Sequence, residues 1–278
     1  VVPGTNDIAV WDSTVGANSV SMGADLSWKG IQIASDHAGN ITIAAGNTLT
    51  LGAAGFTMKP SIAFTMNSPV VLATTQVWTV SGWTPVFAGG VDTAGYPLSL
   101  GGGTSAEFDG DITGGGDIFI LDGTAAVLGN GKTATASDIY VQAGAELNFD
   151  TASGIAGANR VASVEISGGM LSIDGSIAAD SADTITGALS TGPGGAEIKI
   201  APNLSKNARL AAGSLVRAPN TTIFMYGSDL GVNTIASATD GDANVSFGSA
   251  PVLVGGSGSP LTTTGIVHGV YGDITTLG

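Results

Sequence analysis

The residues best equipped for chemistry in this sequence are carboxylates. Glu107, Asp109 and Asp111 are spaced two apart (EFDGD), and Asp240 and Asp242 flank a glycine (DGD). Residues two apart share one face of a strand, so the first trio could project together. Glycoside hydrolysis needs two carboxyls about 5–9.5 Å apart across a bound sugar, and calcium needs roughly six to eight oxygens. Asp-Gly-Asp is also ordinary turn chemistry. Turn residues are the preferred reading, because neither segment has EF-hand spacing and Gly114-Gly115-Gly116-Asp117 departs from the nonapeptide calcium repeat.

The other reactive types are sparse. His37 and His268 are the two histidines, far apart in sequence. No G-x-S-x-G elbow accompanies either, and two lone imidazoles are too few for a histidine metal site. His37, in the turn Ser35-Asp36-His37-Ala38-Gly39, is expected on an exposed loop. Lys199, Lys206, Arg209 and Arg217 carry half of the eight positive charges. They could neutralise a uronate, though a solvated face is the preferred reading. Another role is to meet the acid-rich stretch 92–197 of a second copy, which holds fourteen acids against Lys132 and Arg160. Gly129-Asn130-Gly131-Lys132-Thr133 lacks phosphate-loop spacing. Asn40, Asn203, Asn220 and Asn244 stand in N-x-[ST] sequences, which matter only where the source glycosylates. No residue is assigned a catalytic, cofactor-binding or metal-ligating role; no cofactor is expected, and the chain is read as non-enzymatic.

Composition narrows the partners. Of 278 residues 44 are glycine, 11% are charged and none is cysteine, and the net charge is −14. Such a surface repels nucleic acid and anionic lipid. Without cysteine there is no disulfide framework and no thiolate chemistry. The 43% apolar content argues against disorder. No run approaches the roughly 18 apolar residues of a membrane span, and Val1-Val2-Pro3-Gly4 does not open a signal peptide. Low charge with abundant Thr, Ser, Asn and Gly favours an extracellular or cell-surface setting.

The elements that must position these residues are short strands. Ile41, Ile43, Leu49 and Leu51 alternate with polar or small residues between glycines, and Ile118-Phe119-Ile120-Leu121 is framed by glycine turns. Three later segments echo one another around Leu147, Leu171 and Ile198, separated by 24 and 27 residues. Leu49 to Leu72, Ile198 to Ile223 and Ile223 to Val245 give steps of 23, 25 and 22. Steps of this size predict a solenoid coil of about three strands. About eleven coils would make a rod of roughly 50 Å. Residues 1–25 are expected as an N-terminal cap and 26–278 as one continuous β-solenoid. An antiparallel β-sandwich array is the alternative. The four tryptophans, Trp11, Trp28, Trp78 and Trp83, are expected to plug the core of the first coils; a sugar-stacking platform is the other reading. Ser176–Asp183 could form a helical turn or two.

Leu26-Ser27-Trp28-Lys29-Gly30-Ile31, Asn40-Ile41-Thr42-Ile43 and the glycine-punctuated run 46–55 resemble the N-terminal part of autotransporter-associated β-strand repeat proteins, over residues 8–82. The resemblance implies a right-handed parallel β-helix outside a bacterial cell, with no active site to transfer. The expected function is a structural or adhesive surface solenoid that self-associates, including into fibres through unpaired end strands, or meets surface polysaccharide. A carbohydrate-binding or polysaccharide-degrading β-helix is the alternative. Binding to nucleic acid and insertion into membrane are not expected.

Overall fold

The computed structural model describes residues 3–129, 132–151, 158–203, 205–231, 233, 241–251, 253–254, 266–267 and 269–273. These residues contain no helix; they form parallel ladders of short strands that wind as a parallel β-helix. The one antiparallel strand pair among them, Leu253–Val254 with Ile266–Val267, stands outside the ladders. That excludes the antiparallel sandwich. No described helix is long and apolar enough to cross a membrane.

Each turn presents three faces. Face A starts at residues 26–28 and continues through 49–51, Val70–Leu72, Val91–Asp92 and Ile112–Thr113 to Ala243–Phe247. Face B starts at Ile8–Trp11 and continues through residues 30–33, 55–58, Gln76–Val80, Leu98–Gly101 and Ile118–Ile120 to residues 214–217. Face C is a separate sheet of eleven strands from Asn18–Val20 to Val270–Asp273. Nine turns have all three faces, from residue 26 to residue 227, with partial turns at both ends. Residues 1–25 contribute Ile8–Trp11 and Asn18–Val20, laid on the ladders in the same parallel sense as the rest.

In several turns one strand runs from face A into face B, as in Leu49–Met58, and its bend falls at a register shift or a glycine. Gly55 shows why: its φ is +58° and a Cβ there would lie 2.8 Å from the Val77 carbonyl oxygen of the next turn. No side chain fits that corner without displacing backbone.

Alternation produces the core. Ala126, Leu147, Leu171, Ile198 and Met225 form one inward column on face C. The first three echoes are thus true coil partners, but two expected steps are off by two residues. Met225, not Ile223, follows Ile198, and Leu72 stacks on Leu51 rather than Leu49. Val245 lies on face A beside Leu210. A shift of two preserves the buried face, so the apolar pattern alone could not choose the register.

Aromatic rings from successive coils cluster in one stretch of the interior. Phe56 meets Phe64 at 5.0 Å and Phe87 at 5.4 Å, Trp78 lies 4.6 Å from Phe87, and Phe108 stacks on both Trp78 and Phe87. Trp11, Trp28 and Trp78 are buried, but Trp83 is 61% exposed. Ser176–Asp183 forms no helix; it leads into the strand Ser181–Thr191.

Candidate functional site

The carboxylate trio does not project as a unit. The strand Ser105–Phe108 ends before Asp109. Asp111 instead accepts hydrogen bonds from the Thr133 amide (2.9 Å) and hydroxyl (3.2 Å), which ties the corners of two successive coils together. Glu107 points outward from face C, and burial, then the charges of Asp109 and Asp150, push its pKa up. In the other pair, Asp240 lies outside the described residues, and Asp242 is buried at a corner, accepting from the Asn233 amide at 2.9 Å. Asp111 and Asp242 therefore hold corners of the coil stack through bonds to residues 22 and 9 positions away in sequence.

His37 corrects an expectation. It is 2% exposed, and its Nδ1 lies 2.9 Å from the Asp12 carbonyl oxygen, which requires a proton on Nδ1. The loop that carries it folds back over the neighbouring turn, so its ring is packed rather than solvated. His268 lies outside the described residues. The four bases of residues 199–217 do not form one patch: Lys199 faces outward on face C, Lys206 sits in a turn, Arg209 is on face A, and Arg217 donates to the Thr221 carbonyl oxygen at 2.6 Å. Arg160, one of the two bases counted within the acid-rich stretch 92–197, is completely buried in the core with Asp183.

What the structure does bring together lies on the outer side of face C. One outward row runs from Ser105 through Glu146, Met170 and Glu197 to Phe224 and Tyr271. The row beside it runs from Glu107 through Asn148, Ser172 and Lys199 to Tyr226. Hydrogen bonds tie these rows together. Asn148 donates to the Ser172 hydroxyl (2.7 Å) and to an Asp174 oxygen (2.8 Å), and Ser172 donates to Glu146. Tyr226 donates to Glu197 at 2.6 Å, and burial together with that bond raises its pKa.

The N-terminal half of this surface is a groove of about 460 Å³ bordered by Glu107, Val127, Glu146, Asn148, Asp150 and Asp174. Its C-terminal half is aromatic. The rings of Phe224 and Tyr226 stack at 5.1 Å, with Phe224 41% and Tyr271 63% exposed. Among the described residues no three His, Cys, Asp or Glu side chains converge closely enough to hold a metal ion. The alternative expectation of a sugar-stacking platform named the tryptophans, whereas the exposed rings on this face are Phe224 and Tyr271. The signal was the strand Ile223–Gly227, where Ile223 and Met225 take the buried parity and leave Phe224 and Tyr226 facing out.

Comparison with protein-family models, with curated proteins and with solved structures returned no match.

Proposed function

We propose that this chain is a non-enzymatic structural or adhesive rod that works at the surface of a bacterial cell or outside it. The observation that carries the reading is the stacked outer surface: strands pair from coil to coil through nine complete turns, so the rod offers long faces. Such faces suit lateral packing and extended ligands. The composition and the resemblance over residues 8–82 support export. Self-association has two routes. Ile8–Trp11 and Asn18–Val20 are each paired on one side only among the described residues, so another strand could add there. Lys199, Lys206, Arg209 and Arg217 lie on later turns than most of the acids; being spread over different faces they make no single docking patch, but the charge offset along the rod would steer staggered approach of a second copy.

Electron microscopy across protein and salt concentrations tests the rod and fibre reading. Rods that lengthen or bundle with concentration are expected; strictly monomeric particles throughout would sink the fibre form.

A second reading, polysaccharide degradation, is favoured by one observation. Glu107 stands in the groove with its carboxyl held towards the protonated form, as a general acid requires. Release of reducing ends from a polysaccharide panel, abolished by Glu107→Gln, would establish it. No release from any member would remove it.

A further inference from the structure

The aromatic platform and the groove lie on the same two outward rows, and the ladder sets their separation. Glu146 and Tyr271 are four ladder steps apart, about 19 Å, and Glu107 and Tyr226 five steps, about 24 Å. One small molecule cannot span that length, whereas a linear polymer laid parallel to the rod can. The polymer would meet ring faces at one end and hydrogen-bonding oxygens at the other.

Two observations narrow its chemistry. Phe224 and Tyr271 are large exposed aromatics on neighbouring strands, and the phenol of Tyr226 is fixed by Glu197, so the platform is already arranged for stacking. The charged groove residues are all carboxylates. Glu107, Glu146, Asp150 and Asp174 are distributed along it, and the nearest base on these rows, Lys199, stands beyond them. A uronate or sulfated chain would be repelled. A chain bearing positive charge at intervals would relieve the repulsion that Asp109 and Asp150 impose on Glu107. Because no three acids converge on one point among the described residues, spaced charges suit the groove better than a single cation.

We infer that face C binds a polysaccharide of amino sugars, with sugar rings stacked on Phe224 and Tyr271 and ammonium groups facing Glu107, Glu146 and Asp174. This rests on the adhesive reading above and assigns it a face and a ligand class. Carboxylates already accepting one hydrogen bond keep further acceptor sites, so the ties from Asn148 and Ser172 to Asp174 and Glu146 leave room for the ligand.

The test is retention of the whole chain on an insoluble β-1,4-glucosamine polymer near pH 5.5, where the amines are charged and ordinary carboxylates, with pKa values of about 4, are ionised. Fully acetylated polymer, a neutral glucan, a polyuronate and a polylysine resin serve as parallel supports. Saturable binding to the glucosamine polymer is expected, weaker at high salt and absent from the polyuronate. Tyr271→Ala and Phe224→Ala should each weaken it by roughly tenfold, and Glu146→Gln with Asp174→Asn by at least as much. Circular dichroism and melting curves of each variant must match the wild type; should Phe224→Ala fail to fold, Tyr271→Ala, on the most exposed ring of the platform, decides.

Equal retention on polylysine with no effect of Tyr271→Ala would reduce the surface to a generic or peptide-directed acid patch and overturn the inference. Preference for the acetylated polymer, the glucan or the polyuronate would overturn the ligand class but leave the adhesive reading standing. No retention on any support would overturn the inference, while the rod reading would still stand or fall by microscopy.

Discussion

Inside the coil stack, Nε of Arg160 lies 3.3 Å from a carboxylate oxygen of Asp183, with both side chains sealed from solvent. A bulge makes this possible. On the ladder between their strands Asn159 pairs with Thr184 and Val161 with Ile185, so Arg160 is an extra residue and turns inward beside Val161. Its guanidinium donates to the Leu128 carbonyl oxygen at 2.5 Å and reaches that of Asp150 at 3.4 Å, and its Cζ sits 5.2 Å from the Phe149 ring centroid. One side chain thereby connects four successive turns. Removing one partner of a buried pair leaves the other charge uncompensated, at a cost of about 3–5 kcal/mol. Arg160→Ala and Asp183→Ala should each lower unfolding stability by that amount in urea. The double replacement Arg160→Met with Asp183→Val should recover most of it, because burying two charges is itself costly. A double variant as unstable as the worse single one would show that the pair holds the corner in a way apolar packing cannot.

The same carboxylate predicts a pH dependence with a definite sign. Burial, which outweighs the attraction of Arg160, pushes the pKa of Asp183 up to about 7. In the unfolded chain it would return to about 3.9. Between these values the folded state holds more protons, so stability falls as pH rises from about 4 to 7. Glu107, also raised, adds to the same slope. Denaturation midpoints measured across that window should decline for the wild type and decline less for Asp183→Asn. Parallel slopes for the two proteins would reject the assignment to Asp183.

The interior columns make a third prediction. Leu171 is fully buried between Leu147 and Ile198, and its neighbour Ser172 points outward. Leu171→Ala removes buried methyl groups from a column that cannot collapse along the ladder, and should cost about 2–5 kcal/mol. Lys199→Ala, on an outward row of the next turn, should stay within about 0.5 kcal/mol. Chemical denaturation of the two variants checks the parity of the whole face. Similar losses for both would mean that inward and outward sides had been exchanged.

The winding of the chain was legible because alternation and glycine spacing are local signals. Leu147, Leu171 and Ile198 could be matched by pattern, since each coil there repeats the same short motif. Register was not legible at Ile223, where a slip of two keeps every apolar side chain inside. The burial of Arg160 was hidden for another reason: a charged residue reads as surface unless a bulge is anticipated, and nothing local announces this one. Asp183 did carry a signal, because it shares parity with Ile185 and Ser181 in an alternating run. The outward aromatics of face C were equally readable from the parity of Ile223 and Met225. The rows they complete were not, because those rows join strands from turns far apart in sequence.

The last prediction concerns the polar link inside the aromatic core. Gln76 is buried; its Oε1 accepts from the indole nitrogen of Trp78 at 2.8 Å, and its amide donates to the Leu51 carbonyl oxygen one turn away. Alternation puts Gln76 and Trp78 on the same inward parity, so the indole N–H would lack an acceptor without this amide. Gln76→Leu keeps the volume but strands both the indole donor and the carbonyl, at about 1–3 kcal/mol for each unsatisfied group. Trp78→Phe in the Gln76→Leu background removes the donor that was stranded. The second substitution should therefore cost less there than in the wild type, where it strands the Gln76 Oε1 acceptor, while the space emptied beside Phe87 is common to both backgrounds. Urea unfolding of the four proteins gives the coupling energy directly. A coupling near zero would mean that Trp78 contributes through packing alone, with the amide serving only the Leu51 carbonyl.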